Sequence, residues 1–265
     1  MAGHEHKPTS PMGGVKAFSC PNCGGQVTLR APGQTLAAAC SHCSSVIDLS
    51  NENLRILQKA QDKITREPVI PIGTRGKMEG IEWEVIGFIE RKVAGYEYFW
   101  EEYLLFNPWY GFRWLLNNHG HWGYASPMMD SPQYADGGNT AKYAGRKYKK
   151  FSRGGAQVNF VLGEFYWKVK RGDTVSTIDL VAPPYMLSYE KDQHGHNWTH
   201  TAYIEPEIVQ KAFQIEKMPF RRRIGANQPN KAKESWKQVR LIYFAVLAIV
   251  IAMQVFFSAR AEDKI

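Results

Sequence analysis

The cysteines constrain this chain more than anything else in it. There are four, Cys20, Cys23, Cys40 and Cys43, in two C-x2-C steps separated by sixteen residues. Pro21, Asn22, Gly24 and Gly25 surround the first step, and Ser41, His42 and Ser44 the second. A C-x2-C turn lets two thiolates reach one ion, and two such turns complete a tetrahedral sulfur cage that suits zinc. Residues 16–49 therefore read as a zinc ribbon, with Zn2+ held by Cys20, Cys23, Cys40 and Cys43. Rubredoxin-like iron is the alternative, because a Cys-Pro-x-Cys-Gly turn suits either metal. About thirty residues cannot bury enough apolar surface to fold alone. Metal binding supplies that deficit, typically about 10–16 kcal/mol. Four thiolates close the coordination shell, so the site is structural rather than catalytic.

The second constraint is the run from Leu241 to Ala259, LIYFAVLAIVIAMQVFFSA, which holds no charge, Pro or Gly. As a helix it would measure about 28 Å at about 1.5 Å per residue, close to a hydrocarbon core of roughly 30 Å. The expectation is a single transmembrane helix over 241–259, preceded by a basic juxtamembrane linker over 216–240. The linker's Arg221, Arg222, Arg223, Lys231, Lys233, Lys237 and Arg240 make a collar able to face anionic lipid headgroups. From Lys211 to Arg240 there are nine Lys or Arg against Glu216 and Glu234, so most of the chain's net charge of +8 lies there. Positive charge on the near side would place the bulk of the chain in the cytoplasm, with residues 260–265 on the far side of the membrane. Reduced, metal-bound cysteines fit that compartment. Residues 1–15 are polar, rich in Pro, Gly and His, and read as a disordered tail without a signal peptide.

Between ribbon and anchor, residues 50–66 read as a helix and linker, with Leu54, Leu57, Ala60 and Ile64 at helical spacing and Ser50 or Asn51 as the cap. Residues 67–215 read as a β domain. Ile81, Trp83 and Val85 alternate with Glu82 and Glu84; Phe112, Trp114 and Leu116 alternate with Arg113 and Leu115; Val158, Phe160 and Leu162 begin another run. Turn signals between the runs suggest eight or so antiparallel strands in a barrel or sandwich. A helix is predicted over 206–215, with Pro in its first turn. The fold class is mainly β: zinc ribbon, antiparallel β domain, C-terminal membrane helix. Aromatics crowd the stretch from Tyr96 to Tyr124. Most are expected in the sheet core, with Trp109 and Tyr110 lifted on a loop beside Gly111 as a candidate partner-binding edge. Two His-Gly-His steps, at 119–121 and 194–196, fall at predicted hairpin tips and would hold a second metal only if the tips met.

Motif order then resembles a bacterial family catalogued only as a domain of unknown function. The residues that carry it include Ile86-Gly87-Phe88, Trp100-Glu101-Glu102-Tyr103-Leu104-Leu105, Gly111-Phe112-Arg113-Trp114-Leu115, Gly163-Glu164-Phe165-Tyr166-Trp167, Ala182-Pro183-Pro184 and Tyr203-Ile204-Glu205-Pro206-Glu207. The resemblance implies a zinc ribbon, this β domain and membrane helices, and so a single-pass placement in a bacterial inner membrane with the bulk of the chain cytoplasmic. It also implies a gene setting beside polyamine-biosynthesis-like enzymes and small membrane proteins. It assigns no chemical role to any residue.

Three function classes compete. The first is a non-enzymatic, membrane-anchored adaptor that binds a cytosolic protein partner. The second is an enzyme or a ligand- or lipid-sensing module with its site in the β domain. No G-x-S-x-G, H-E-x-x-H or dinucleotide glycine fingerprint occurs, and no catalytic residue is assigned. Glu101, Glu102 and Glu164 are candidate acids, but Glu101 and Glu102 are adjacent and point to opposite faces of a strand. The third is nucleic-acid binding, drawn from the basic run at Lys142, Arg146, Lys147, Lys149, Lys150 and Arg153. It is the weakest, because the ribbon itself offers only Arg30 and Lys16 to phosphate.

Overall fold

The computed structural model describes residues 16–50, 53–59, 67–193 and 195–262. Its strands are β1 (Lys16–Ser19), β2 (Gln26–Leu29), β3 (Ala37–Ala39), β4 (Val46–Asp48), β5 (Ile56–Gln58), β6 (Arg75–Met78), β7 (Ile81–Val93) and β8 (Phe99–Asn107). There follow β9 (Gly111–Asn118), β10 (His121–Pro127), β11 (Gln133–Ala135), β12 (Thr140–Tyr143), β13 (Arg146–Phe165), β14 (Thr174–Ala182), β15 (Tyr185–Lys191) and β16 (His196–Ile204). The helices are α1 (Pro206–Phe213) and α2 (Lys231–Glu262). Residues up to Gln228 form one compact unit and those from Pro229 a second.

Strand pairing closes on itself. β7 pairs with β8, β8 with β9, β9 with β10, and β10 with β16. β16 pairs with β15, β15 with β14, β14 with β13, and β13 returns to β7. The expected barrel or sandwich is thus an antiparallel closed barrel of eight strands, an arrangement that leaves its ring without an edge. β13 makes the closure. Its first half pairs with β14 and its second half with β7, with register shifts near Lys150 and Val158 where the strand bends. Further along β13, where β7 and β3 flank it, Gly163 is obligatory: its φ is +82°, and a Cβ there would collide with the carbonyl oxygen of Ile86.

Alternation along each strand sorts side chains between two surfaces. On β8, Tyr103 and Leu105 point outward into a core shared with Trp83, Val85, Phe88, Trp122 and Tyr124. Val209 and Phe213 of α1 cover that core. Pro206 begins α1, and Gln214 ends it in the left-handed conformation at φ 53°. The opposite parity of β8 points inward. There Leu104 and Phe106 join Ile86, Ile89, Val158, Val161 and Phe165 to fill one end of the barrel. On the far side, the β11–β12 hairpin brings Ala141 over Leu180, Leu187 and Trp198.

The ribbon is not a separate body. β3 pairs with the end of β13, so β3, β4 and β5 extend the barrel sheet, and Ala37, Ala39 and Val46 join the core that fills the barrel's end. Glu164 locks this joint, accepting from the backbone N–H groups of Arg30 and Ala31 and from the Thr35 hydroxyl.

Two expectations are corrected here. Where helical spacing predicts a helix over 50–64, Ile56–Gln58 form β5 on the free edge of β4. The edge supplies backbone partners, and Leu57 and Leu54 pack on two different cores, which a single helical stripe would not do. Residues 51–52 and 60–66 lie outside the described residues, as do 1–15. The second correction concerns the membrane. Among the described residues no helix is long and apolar enough to cross one. The single-pass inner-membrane placement over 241–259, and the orientation drawn from it, are therefore withdrawn.

Candidate functional site

Among the described residues two places gather chemistry-bearing side chains: the cysteine cluster and the barrel interior. The four sulfurs all lie within 4.8 Å of one another. Sγ of Cys20 is 3.8 Å from that of Cys43, and Cys23 is 3.8 Å from Cys40. A tetrahedron with metal–sulfur bonds of about 2.3 Å has edges of about 3.8 Å, so the donor set and its spacing fit zinc. The two turns are built alike. The N–H of Gly24 donates to the carbonyl of Cys20, and that of Ser44 to the carbonyl of Cys40, each at 2.8 Å. Gly24 and Ser44 occupy the same left-handed position, at φ 74° and 55°. The backbone N–H groups of Asn22 and Gly25 point at Cys20 and Cys23 sulfur, each at 3.4 Å.

No second metal cluster of His, Cys, Asp or Glu forms among the described residues. His119 and Gly120 do make a hairpin tip, at φ 51° and 84°. His121 turns inward and is only 7% exposed. Its Nδ1 meets the Tyr203 hydroxyl at 3.1 Å and its Nε2 meets the carbonyls of Arg222 and Arg223 at 3.2 and 3.3 Å. Nε2 must donate to a carbonyl, so Nδ1 accepts from Tyr203. His194 lies outside the described residues.

The barrel interior holds a cavity of about 700 Å³, within the range of pockets that enclose small organic ligands. Inward positions of consecutive strands line it. Glu102 stands across from Leu116, Thr177 from Glu190, Asp179 from Ser188, and Met186 from Thr201. Trp100, Trp114, Tyr166 and Trp167 supply aromatic wall. Trp114 and Trp167 have ring centroids 5.4 Å apart, and Tyr166 and Trp167 4.8 Å apart at a steep angle.

Charge is concentrated inside. Arg91 Nε lies 3.0 Å from Glu102 Oε2, and its Nη1 lies 3.3 Å from Glu190 Oε1. Trp100 Nε1 donates to the second oxygen of Glu102 at 2.8 Å. Asp179 accepts from the hydroxyls of Ser152 and Ser188 at 2.6 and 2.8 Å. Burial pushes the Glu102 carboxyl above its ordinary range, with Arg91 opposing and Glu190 adding to the rise. Burial likewise raises Asp179 against its two hydroxyl donors. Burial disfavours the charge of Arg91, but Glu102 and Glu190 outweigh it and hold the guanidinium firmly protonated. Thr201 is 2% exposed in the cavity lining, and among the described residues its hydroxyl has no partner.

The opening is bordered by a segment that the sequence assigns to the lipid-facing collar. The Arg222 N–H donates to the His119 carbonyl at 3.0 Å, and Asn227 Nδ2 to the Pro184 carbonyl at 3.0 Å. Arg221 pairs with Glu205 and Glu207, each at 3.2 Å. Arg222, Arg223 and Gly225 contribute to the cavity lining. Arg240 is exposed on α2, whereas the side chains of Lys231, Lys233 and Lys237 lie outside the described residues. Trp109 and Tyr110 occupy the β8–β9 hairpin tip at 55% and 56% exposure, with both N–H groups on Asn107 Oδ1. Phe112 instead turns inward onto Phe106 and Tyr166, with centroids 5.2 and 4.7 Å away.

Sequence reasoning named Glu102 as a candidate acid and set it on the face opposite Glu101. The structure agrees: Glu101 points outward to Tyr103 and Asn117. Asp179, Glu190, Arg91 and Thr201 were missed. Their signal is the two-residue step of polar groups along β14 and β15, Thr177 with Asp179 and Ser188 with Glu190, which reads equally well as a solvated strand face.

Residues 71–206, just over half the chain, match the family described as "Domain of unknown function (DUF4178)". No curated protein and no solved structure matches. The matched region takes in every strand of the barrel, and the cysteine cluster lies before it. The chain belongs to the DUF4178 family.

Proposed function

We propose that this protein is a binding module whose β barrel takes a small organic ligand into its interior, while a zinc ion fixes the ribbon on the barrel's filled end. The observation that supports it most is the cavity of about 700 Å³ with aromatic walls and inward-facing polar groups. A barrel of eight strands normally has room only to fill itself with side chains or to hold one small ligand. Here Leu104 and Phe106 fill one end, and small residues leave the other open: Gly123, Ala125, Gly154 and Gly155 all line the cavity.

Gly154 provides the test. No atom lies within 4 Å of where its Cβ would stand, and its φ is not left-handed. Gly154→Phe should fold and fill the cavity. A thermal-shift screen of small metabolites should give compounds that raise the melting temperature of the wild type but not of Gly154→Phe. Compounds that stabilise both equally bind elsewhere, and a screen with only such hits would overturn the assignment of the interior.

A second reading, the protein adaptor, draws on the exposure of Trp109 and Tyr110 at one hairpin tip. Interfaces take most of their energy from a few aromatic anchors. Trp109→Ala should then remove the dominant protein that co-purifies with the chain. Unchanged co-purification would leave the barrel interior as the sole candidate.

A further inference from the structure

The interior carries a charge imbalance, and its meaning rests on the ligand-binding reading above. Arg91 is the buried cation of the cavity, 7% exposed. It already serves two carboxylates, Glu102 at 3.0 Å and Glu190 at 3.3 and 3.4 Å. Asp179 is a third, and the groups that hold it, the Ser152 and Ser188 hydroxyls, are neutral. Three carboxylates therefore face one guanidinium. Arg153, Lys191, Arg222 and Arg223 also border the cavity, but all four are exposed. Solvent and salt screen exposed charges over about 8–10 Å, whereas groups inside the barrel are screened far less.

Aromatic rings stand against these acids. Trp100 donates its indole N–H to Glu102, so its ring lies beside that carboxylate. Tyr166 lies within the field of Glu190, Glu102 and Arg91, and it makes a ring cluster with Trp114 and Trp167. Ring faces attract cations, most strongly when the site is desolvated. Among the described residues the hydroxyl of Thr201, 2% exposed in the cavity lining, has no hydrogen-bond partner, an independent sign that a polar group can be received there.

We propose that the barrel interior binds an organic cation, a protonated amine carried on an apolar body. The apolar body would lie along Trp100, Trp114 and Trp167, with the ammonium toward Asp179 and Glu190. An anionic ligand would add a fourth negative charge to a space whose one buried cation is already committed. A neutral apolar ligand would leave the imbalance as it is. A bare metal ion does not suit the space, because the carboxylates do not converge as a donor cluster among the described residues.

The test compares three probes of one shape, hexylammonium, 1-hexanol and hexanoate, on the full chain at matched ionic strength. Binding is measured by calorimetry, with the indole N–H signals of Trp100, Trp114 and Trp167 followed by NMR. Hexylammonium should bind at least about tenfold more tightly than 1-hexanol and shift those signals, with hexanoate weakest. Asp179→Asn and Glu190→Gln should each erode the preference for ammonium over alcohol, and either one suffices if the other folds poorly. If 1-hexanol or hexanoate binds as tightly as hexylammonium, the cation assignment is wrong while the binding barrel stands. If none of the three moves the cavity indoles, both readings fall together.

Discussion

Arg91 and Glu102 form an ion pair inside the barrel, Nε to Oε2 at 3.0 Å, with each side chain only 8% exposed. Register explains the meeting. Ile89 lies across from Glu102, and Arg91, two residues on, lies across from Trp100, so both chains point inward from neighbouring strands. Burying two charges is costly, and their attraction offsets the cost only while both remain. Arg91→Met alone should therefore destabilise the protein by about 3–5 kcal/mol in chemical denaturation, because it strands Glu102 and Glu190. The double variant Arg91→Met/Glu102→Leu should recover much of that loss. A double variant no better than the single would mean that Arg91 stabilises the barrel chiefly through Glu190.

The ribbon and the barrel share a sheet, so metal and barrel stability should be linked. Purified protein should contain one zinc per chain, lost in Cys20→Ala/Cys43→Ala. Removing the metal should lower the melting temperature of the barrel itself, because β3 pairs with β13 and Glu164 accepts from the backbone of Arg30 and Ala31. Tryptophan fluorescence follows this directly, since Trp114 and Trp167 pack against the core that β3 and β4 help to form. A barrel that melts at the same temperature with and without metal would show the two to be energetically independent.

Much of the fold can be read from the sequence, and the limits have physical causes. The cysteine spacing alone located the cluster, because metal geometry admits few spacings. Alternation over Ile81–Val85 and Phe112–Leu116 exposed strands, yet closure could not be seen. It depends on β13 changing partners near Val158, a long-range event with no local signature in the sequence. The helix expected over 50–64 failed because pairing with β4 overrides local periodicity at Ile56–Gln58. The membrane helix expected over 241–259 is not supported, because among the described residues no helix is long and apolar enough to cross a membrane. The cavity was hidden for a further reason. Inward polar groups on a barrel strand have the same two-residue period as outward, solvated ones, and only the closed ring tells the two apart.

Asp179 should make stability depend on pH. Its carboxyl titrates above the ordinary range because it is buried. The folded state thus holds the proton more tightly than the unfolded chain does. This contribution is fully present below the unfolded-state pKa, about 3.9, and is lost as pH rises through the folded-state value. Asp179→Asn removes that loss. Relative to wild type, the variant should gain stability as pH is raised from about 4, with the gain levelling off above the folded-state pKa. Urea denaturation across that range measures it. A gap between the two proteins that shrinks as pH rises would mean that Asp179 is stabilised as a carboxylate, not as an acid.

Trp109 and Phe112 lie three residues apart at one hairpin and should respond oppositely to truncation. Trp109 is 55% exposed, and no aromatic ring lies against it among the described residues. Phe112 is half-buried between Phe106 and Tyr166. Surface truncations away from caps and cores usually stay within about 0.5 kcal/mol, so Trp109→Ala should leave stability nearly unchanged. Phe112→Ala opens a void at the filled end of the barrel and should cost about 2–4 kcal/mol, toward the lower end because the ring is only partly covered. Urea denaturation of both variants separates the two effects. If Trp109→Ala destabilises as much as Phe112→Ala does, the hairpin tip is part of the packing, and the exposed pair is not free to serve as a binding edge.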